Sequence, residues 1–261
     1  HVLSISGLHI SIIGMGFYKL LKKIRCPLIA NVILSIAMMY CYGIMTGMGI
    51  SAFRAVVMFC FHAAAGIFGR TYDMLTAAAV AAMLALVRQP LYLCHSGFLF
   101  SFGAILAIGL FLPVMEENLL GAECKSRAIA RLERLMSTSL AVTIVTLPVY
   151  LCFYYEYPLY SLFLNVLLIP GMGVILSDGL FSLAAAAYFL PLGKIVSFPA
   201  HLMLAFYEFC CTFMLRLPGS RTMPGKPENW QIIVFGVILC ALVRYGRRGS
   251  RLQFWQWTLF A

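Results

Sequence analysis

PLIANVILSIAMMYCYGIMTGMGISAFRAVVMFCFHAAAGIFG, residues 27–69, decides the fold. Two apolar runs, 27–46 and 51–69, meet at a glycine-rich joint formed by Gly43, Gly47 and Gly49. Each run is long enough, as a helix, to cross a hydrocarbon core of ~30 Å. The same pattern recurs outward in both directions, at 1–18, 74–87, 91–112, 137–155, 159–190, 195–215 and 230–245. Hydrophobic residues fill 62% of the 261 positions and charged residues only 11%, against ~25% charged in an ordinary soluble domain. The expected fold class is all-α, a polytopic transmembrane helical bundle with about nine crossings. Segment 159–190 is too long for one plain span and contains Pro170-Gly171, Gly173 and Asp178-Gly179, all of which weaken a helix. It is expected to cross once, as a broken helix made of two half-helices.

Alternating the segments across the membrane leaves Arg54, Arg88, Arg216, Arg221 and Lys226 on one face and the other 14 of the 19 basic residues on the opposite face. The positive-inside rule makes the richer face cytoplasmic. The His1 end then lies outside and the loop 113–136 inside. Counting segment 159–190 as two crossings weakens this asymmetry, so a single crossing is preferred. Topology also accounts for most of the net charge of +10, which is therefore no argument for a nucleic-acid surface. Within the loop, SRAIARLERL (126–135) puts Ile129, Leu132 and Leu135 at helical spacing, as expected of an amphipathic helix along the inner headgroups. Nine cysteines are scattered without a CxxC pair or zinc-like spacing. The chain begins at His1 inside one apolar stretch and ends at Ala261 inside another, and both ends look cut from something larger.

Polar and ionisable groups inside apolar spans cost free energy unless they face protein or water, and so they are the functional candidates. The opening HVLSISGLHISIIGMG carries His1, Ser4, Ser6, Gly7, His9 and Ser11. Positions eight apart on a helix fall about 80° apart, so His1 and His9 can line one cavity. No carboxylate or third ligand lies near them, and neither a metal nor a cofactor is expected. Ser51 and Arg54 share one face of the first turns of span 51–69. Arg54 there suits two roles, snorkelling to headgroups or contacting a phosphate through its guanidinium fork. Further candidates are Asp73, the string HSGFLFSF at 95–102, and Asn165, Pro170 and Asp178 at the expected break. His62, Glu156, His201 and Glu208 stand isolated and read as pairing or boundary residues. No HExxH, nucleophile elbow, phosphate-binding glycine loop or spaced carboxylate pair is present, so the chain is not expected to be an enzyme.

HVLSISGLHI resembles the H-L-L-A-[IV]-S-G-L-H-[IV] signature of the ComEC competence-protein family. The likeness continues in order through Gly43 to Ala55, Gly69-Arg70 with Asp73, Pro90, Gly97-Phe98 with Ser101-Phe102, Leu147-Pro148 and Ser161–Asn165–Pro170. It implies a single membrane competence domain over 1–261 in a bacterial cytoplasmic membrane. It also implies extracellular OB-like and metallo-β-lactamase-like domains in full-length members. The implied role is passage of one DNA strand into the cytoplasm during natural transformation, with single-stranded DNA, membrane lipids and other uptake proteins as partners. The residues that match the family pattern are His1, Ser6, Gly7, His9, Ser51, Arg54, Asp73, Phe98, Ser101, Asn165 and Pro170, and Ser4 lies within the same opening motif. Leu99 departs from it, standing where the family usually has an amide. Two other readings compete: a secondary transporter for a small solute using the broken segment, and a membrane scaffold for the flanking domains.

Overall fold

The computed structural model describes residues 7–119, 127–157, 160–217, 219, 222 and 224–260, so His1, Ser4 and Ser6 lie outside the described residues. Those residues form eleven α-helices: α1 (Gly7–Lys23), α2 (Leu28–Met45), α3 (Ile50–Ile67), α4 (Met74–Arg88), α5 (Ser96–Leu106), α6 (Leu112–Leu119), α7 (Arg127–Tyr154), α8 (Ser161–Tyr188), α9 (Leu190–Val196), α10 (Phe198–Leu215) and α11 (Asn229–Phe260). An isolated β-bridge between Tyr157 and Thr222 is the sole β-type pairing among the described residues. Helices suit this composition because an apolar solvent offers no partner for an open N–H or C=O, and a helix satisfies its own.

Among the described residues seven stretches are long and apolar enough to cross a membrane: Leu28–Met45, Ile50–Ile67, Ser96–Glu116, Ile129–Tyr154, Gly171–Tyr188, Phe198–Leu215 and Asn229–Gly246. The chain is therefore an all-helical, multi-pass membrane protein. Of the nine expected segments, 74–87 becomes the shorter α4, of 15 residues. Segment 1–18 begins outside the described residues and continues into α1.

The broken helix is not observed. α8 is one unbroken helix of 28 residues through Pro170, Gly171, Gly173 and Gly179. A proline withdraws one N–H and a glycine costs ~1 kcal/mol relative to alanine. Opening several backbone groups in an apolar medium costs more, so the helix continues. α7 likewise runs through Pro148 without interruption. A separate amphipathic helix at 126–135 is not observed either, because Arg127 starts the same helix that becomes the long apolar run to Tyr154. A proline does leave a mark between α5 and α6, where Ala107–Phe111 widens into a π-helical turn. Pro113 follows it, and the carbonyl four residues earlier, on Gly109, sits inside the widened turn.

The chain forms two compact units, residues 1–102 with 171–201, and residues 103–170 with 202–261. In the first unit α1, α2 and α3 pack on one another, and α3 packs on α4. Their core is Val32, Met39, Ala52, Ala55, Val56, Phe59 and Ala63. The buried stripe of α4 is Ala77, Ala78, Ala81 and Ala85; small side chains at this spacing let helix backbones approach closely. The α2–α3 turn is closed by the Met48 N–H on the Gly43 carbonyl at 2.7 Å, with Gly47 at φ 82°. Only glycine takes that backbone conformation without strain. The second unit centres on Phe111, Leu112 and Ala141, against which Leu239 and Val243 of α11 pack.

Candidate functional site

Arg54 is the fifth residue of α3, about 6 Å along its axis at 1.5 Å per residue. The start of α3 faces the core through Ala52 and Ala55. Arg54 Nη1 donates to the backbone carbonyl of Ser101 at 2.6 Å. The guanidinium carbon sits 5.9 Å from the centroid of the Phe102 ring, within reach of a cation–π attraction. Behind Phe102 lies Phe98, buried, with ring centroids 4.4 Å apart. Nε of Arg54 is buried and has no hydrogen-bond partner. A buried donor left unpaired costs ~1–3 kcal/mol, and more when it is charged.

α5 presents Ser101 and Phe102 because of how it starts. Pro90–Cys94 forms a short 3₁₀ turn, and His95 Nδ1 then accepts the Gly97 N–H at 3.1 Å. This side-chain cap sets the helix entry. Tyr72 stands on the loop before α4, close enough to Arg54 for the guanidinium to bear on its hydroxyl. Burial pushes the Tyr72 hydroxyl above its ordinary value; the Asp73 carboxylate adds to that and Arg54 opposes it. His62, expected to be a pairing or boundary residue, meets the Tyr72 ring edge-on with centroids 5.0 Å apart.

The structure thus brings together three of the sequence-derived candidates, Arg54, Phe98 and Ser101, the last through its carbonyl. Ser51 lies one turn before Arg54 and is half-buried. Asp73 caps α4, accepting from the N–H groups of Leu75 and Thr76 at 3.3 and 3.1 Å and from the Thr76 hydroxyl. Those bonds, the Thr76 hydroxyl first, hold its carboxyl below the usual range. Gly7 and His9 are helical positions of α1. Asn165 and Pro170 are positions of α8 in the second unit, Asn165 half-buried. Asp178, expected at a break, accepts the Ala200 N–H at 2.9 Å and so holds the first turn of α10.

Sequence reasoning passed over one buried polar pair. Asn31 and Ser35 of α2 are 1% and 0% exposed. Asn31 Nδ2 donates to the Tyr18 carbonyl of α1 at 3.2 Å, and Ser35 Oγ donates to Asn31 Oδ1 at 3.3 Å. The signal was available, as two polar residues four apart inside an apolar span. Tyr72 carried no such signal, lying between Thr71 and Asp73 in a short loop.

A family model described as Competence protein matches residues 1–249. ComE operon protein 3 of Bacillus subtilis (strain 168) is 24% identical over 170 residues, which are 65% of this chain and 21% of that relative. The matched stretch therefore spans about a fifth of the relative's length. No solved structure matches.

Proposed function

Because the chain belongs to the competence protein family, we propose that it is the membrane core through which a single strand of DNA enters the bacterial cytoplasm during natural transformation. The observation that carries this reading is the family match over residues 1–249, which takes in all seven membrane-length stretches among the described residues. The partners are the strand itself, membrane lipids and other proteins of the uptake machinery. The protein sits in the cytoplasmic membrane with its His1 end outside and its basic loops inside, the arrangement the lysines and arginines favour. Its work is passage, not bond cleavage. A strand needs polar contacts that release as readily as they form, and family-motif residues from His1 to Pro170 supply candidates for them. A small-solute transporter drew its support from a discontinuous α8, and the unbroken helix removes the cavity-lining break on which that reading stood.

The test uses a naturally transformable strain that carries the full-length protein, compared with one lacking the segment equivalent to residues 1–249 but keeping the flanking domains. Labelled DNA is measured outside and inside the cytoplasmic membrane. The expected result is retained surface DNA and cytoplasmic DNA at background. Undiminished cytoplasmic DNA in the deleted strain would exclude the proposed role.

A further inference from the structure

Arg54 is a cation inside a membrane span whose described partners are all neutral: the Ser101 carbonyl, the Phe102 ring and the nearby Tyr72. A snorkelling arginine carries its head toward water or headgroups. Arg54 instead turns inward onto the backbone of α5, far enough to enclose its Nε. A structural ion pair would set a carboxylate against it, as Glu116 is set against Arg134, and the described partners of Arg54 include none. One carbonyl oxygen carries only a partial charge, so the guanidinium is anchored without being neutralised. Nη1 is occupied, and Nε, though enclosed, is the donor left without a partner. The complement of the edge that carries it is an oxyanion with paired oxygens on one centre, the geometry that guanidinium groups bind bidentately.

Resting on the strand-passage reading above, we propose that Arg54 is a phosphodiester-binding site, with the Ser101 carbonyl as its partner between phosphates. A phosphate arriving at α3 draws the guanidinium from its enclosed position, because it offers the full negative charge that the carbonyl lacks. When the phosphate moves on, the side chain returns to Ser101. The Phe102 ring, backed by Phe98, confines the guanidinium plane in both positions. Recognition here is by backbone charge and is indifferent to the base.

The experiment uses the full-length protein in transformable cells and two strands of one sequence, one all phosphodiester and one with a central block of uncharged methylphosphonate linkages. Import is compared for wild type, Arg54→Lys and Arg54→Gln at matched membrane levels. The glutamine keeps a polar amide without the charge but stands short of Ser101, so membrane level and surface DNA binding, measured alongside, separate loss of binding from loss of fold. Wild type is expected to import the charged strand about tenfold better than the neutral-block strand, as for a hydrogen bond to a charged group. Arg54→Gln should erase that preference and Arg54→Lys should keep part of it. A preference of unchanged size in Arg54→Gln overturns the proposal while leaving strand passage intact. The same unchanged preference, together with loss of a co-purifying phospholipid seen by mass spectrometry, overturns it in favour of a lipid headgroup. Import of neither strand by wild type overturns both the passage reading and this one.

Discussion

α3 and the Gly171–Tyr188 stretch of α8 lie in the same unit and both carry polar groups into an apolar span, yet they use them oppositely. In α8 the hydroxyl of Ser177 donates to the carbonyls of Gly173 and Val174, and that of Ser182 to Gly179. Asp178 is engaged by the Ala200 N–H. In α3 the strongest donor group keeps a buried N–H with nothing to bind. Polarity inside a membrane span therefore does not mark a site by itself. The mark is hydrogen-bonding capacity that the fold leaves open, and α3 has it.

The contrast breaks most readily through DNA import. Arg54→Ala should lower internalised DNA about tenfold or more, the scale of a lost charged hydrogen bond, whereas Asp178→Asn should import near the wild-type level. Equal losses in the two variants, read as cytoplasmic DNA at matched membrane levels, would erase the distinction between the helices.

The next effect is on stability and concerns α8 as a strut. A Cβ at Gly193 would lie 2.9 Å from the Ala186 Cα and 3.0 Å from its N, which are backbone atoms that cannot step aside. Gly193→Ala should therefore destabilise the detergent-solubilised protein by ~1–3 kcal/mol, typical of overpacking, read as a lower thermal midpoint. An unchanged midpoint would mean that α8 and α9 are not held as closely as described.

Asp178→Ala should cost ~1 kcal/mol by leaving the first turn of α10 without its side-chain acceptor, and Asp178→Asn should cost less. Were Asp178→Ala instead to abolish import with the midpoint intact, α8 would be the functional helix and α3 the structural one.

The smallest change belongs to Asp73, an exposed cap. Asp73→Ala should lower the midpoint slightly at neutral pH. Because the folded carboxyl is held below the usual range, its contribution is present above the unfolded value and is lost as the pH falls through the folded one. The difference between variant and wild type should close in acid, and a difference that grows in acid would contradict the cap.

The apolar runs made the helical class legible, because length and composition decide whether a segment can satisfy itself in lipid. Arg54 was legible as a candidate, since an arginine among apolar residues stands out, but its role was not. Whether it snorkels or turns inward depends on Ser101, 47 residues away, whose carbonyl no local pattern announces. The break expected in α8 is absent for a related reason. Proline and glycine count as helix breakers where water can take over the freed groups, and an apolar medium withdraws that alternative. Asp178, assigned to the break, instead serves the start of α10, a contact 22 residues off in sequence.

The most direct measurement is cytoplasmic labelled DNA in cells carrying the full-length protein as wild type, His9→Ala or Arg54→Ala, with surface-bound DNA and membrane levels measured alongside. Both variants should insert normally and bind DNA at the surface, with internalisation largely lost. Internalisation at the wild-type level in both would contradict the assignment of these residues to the passage.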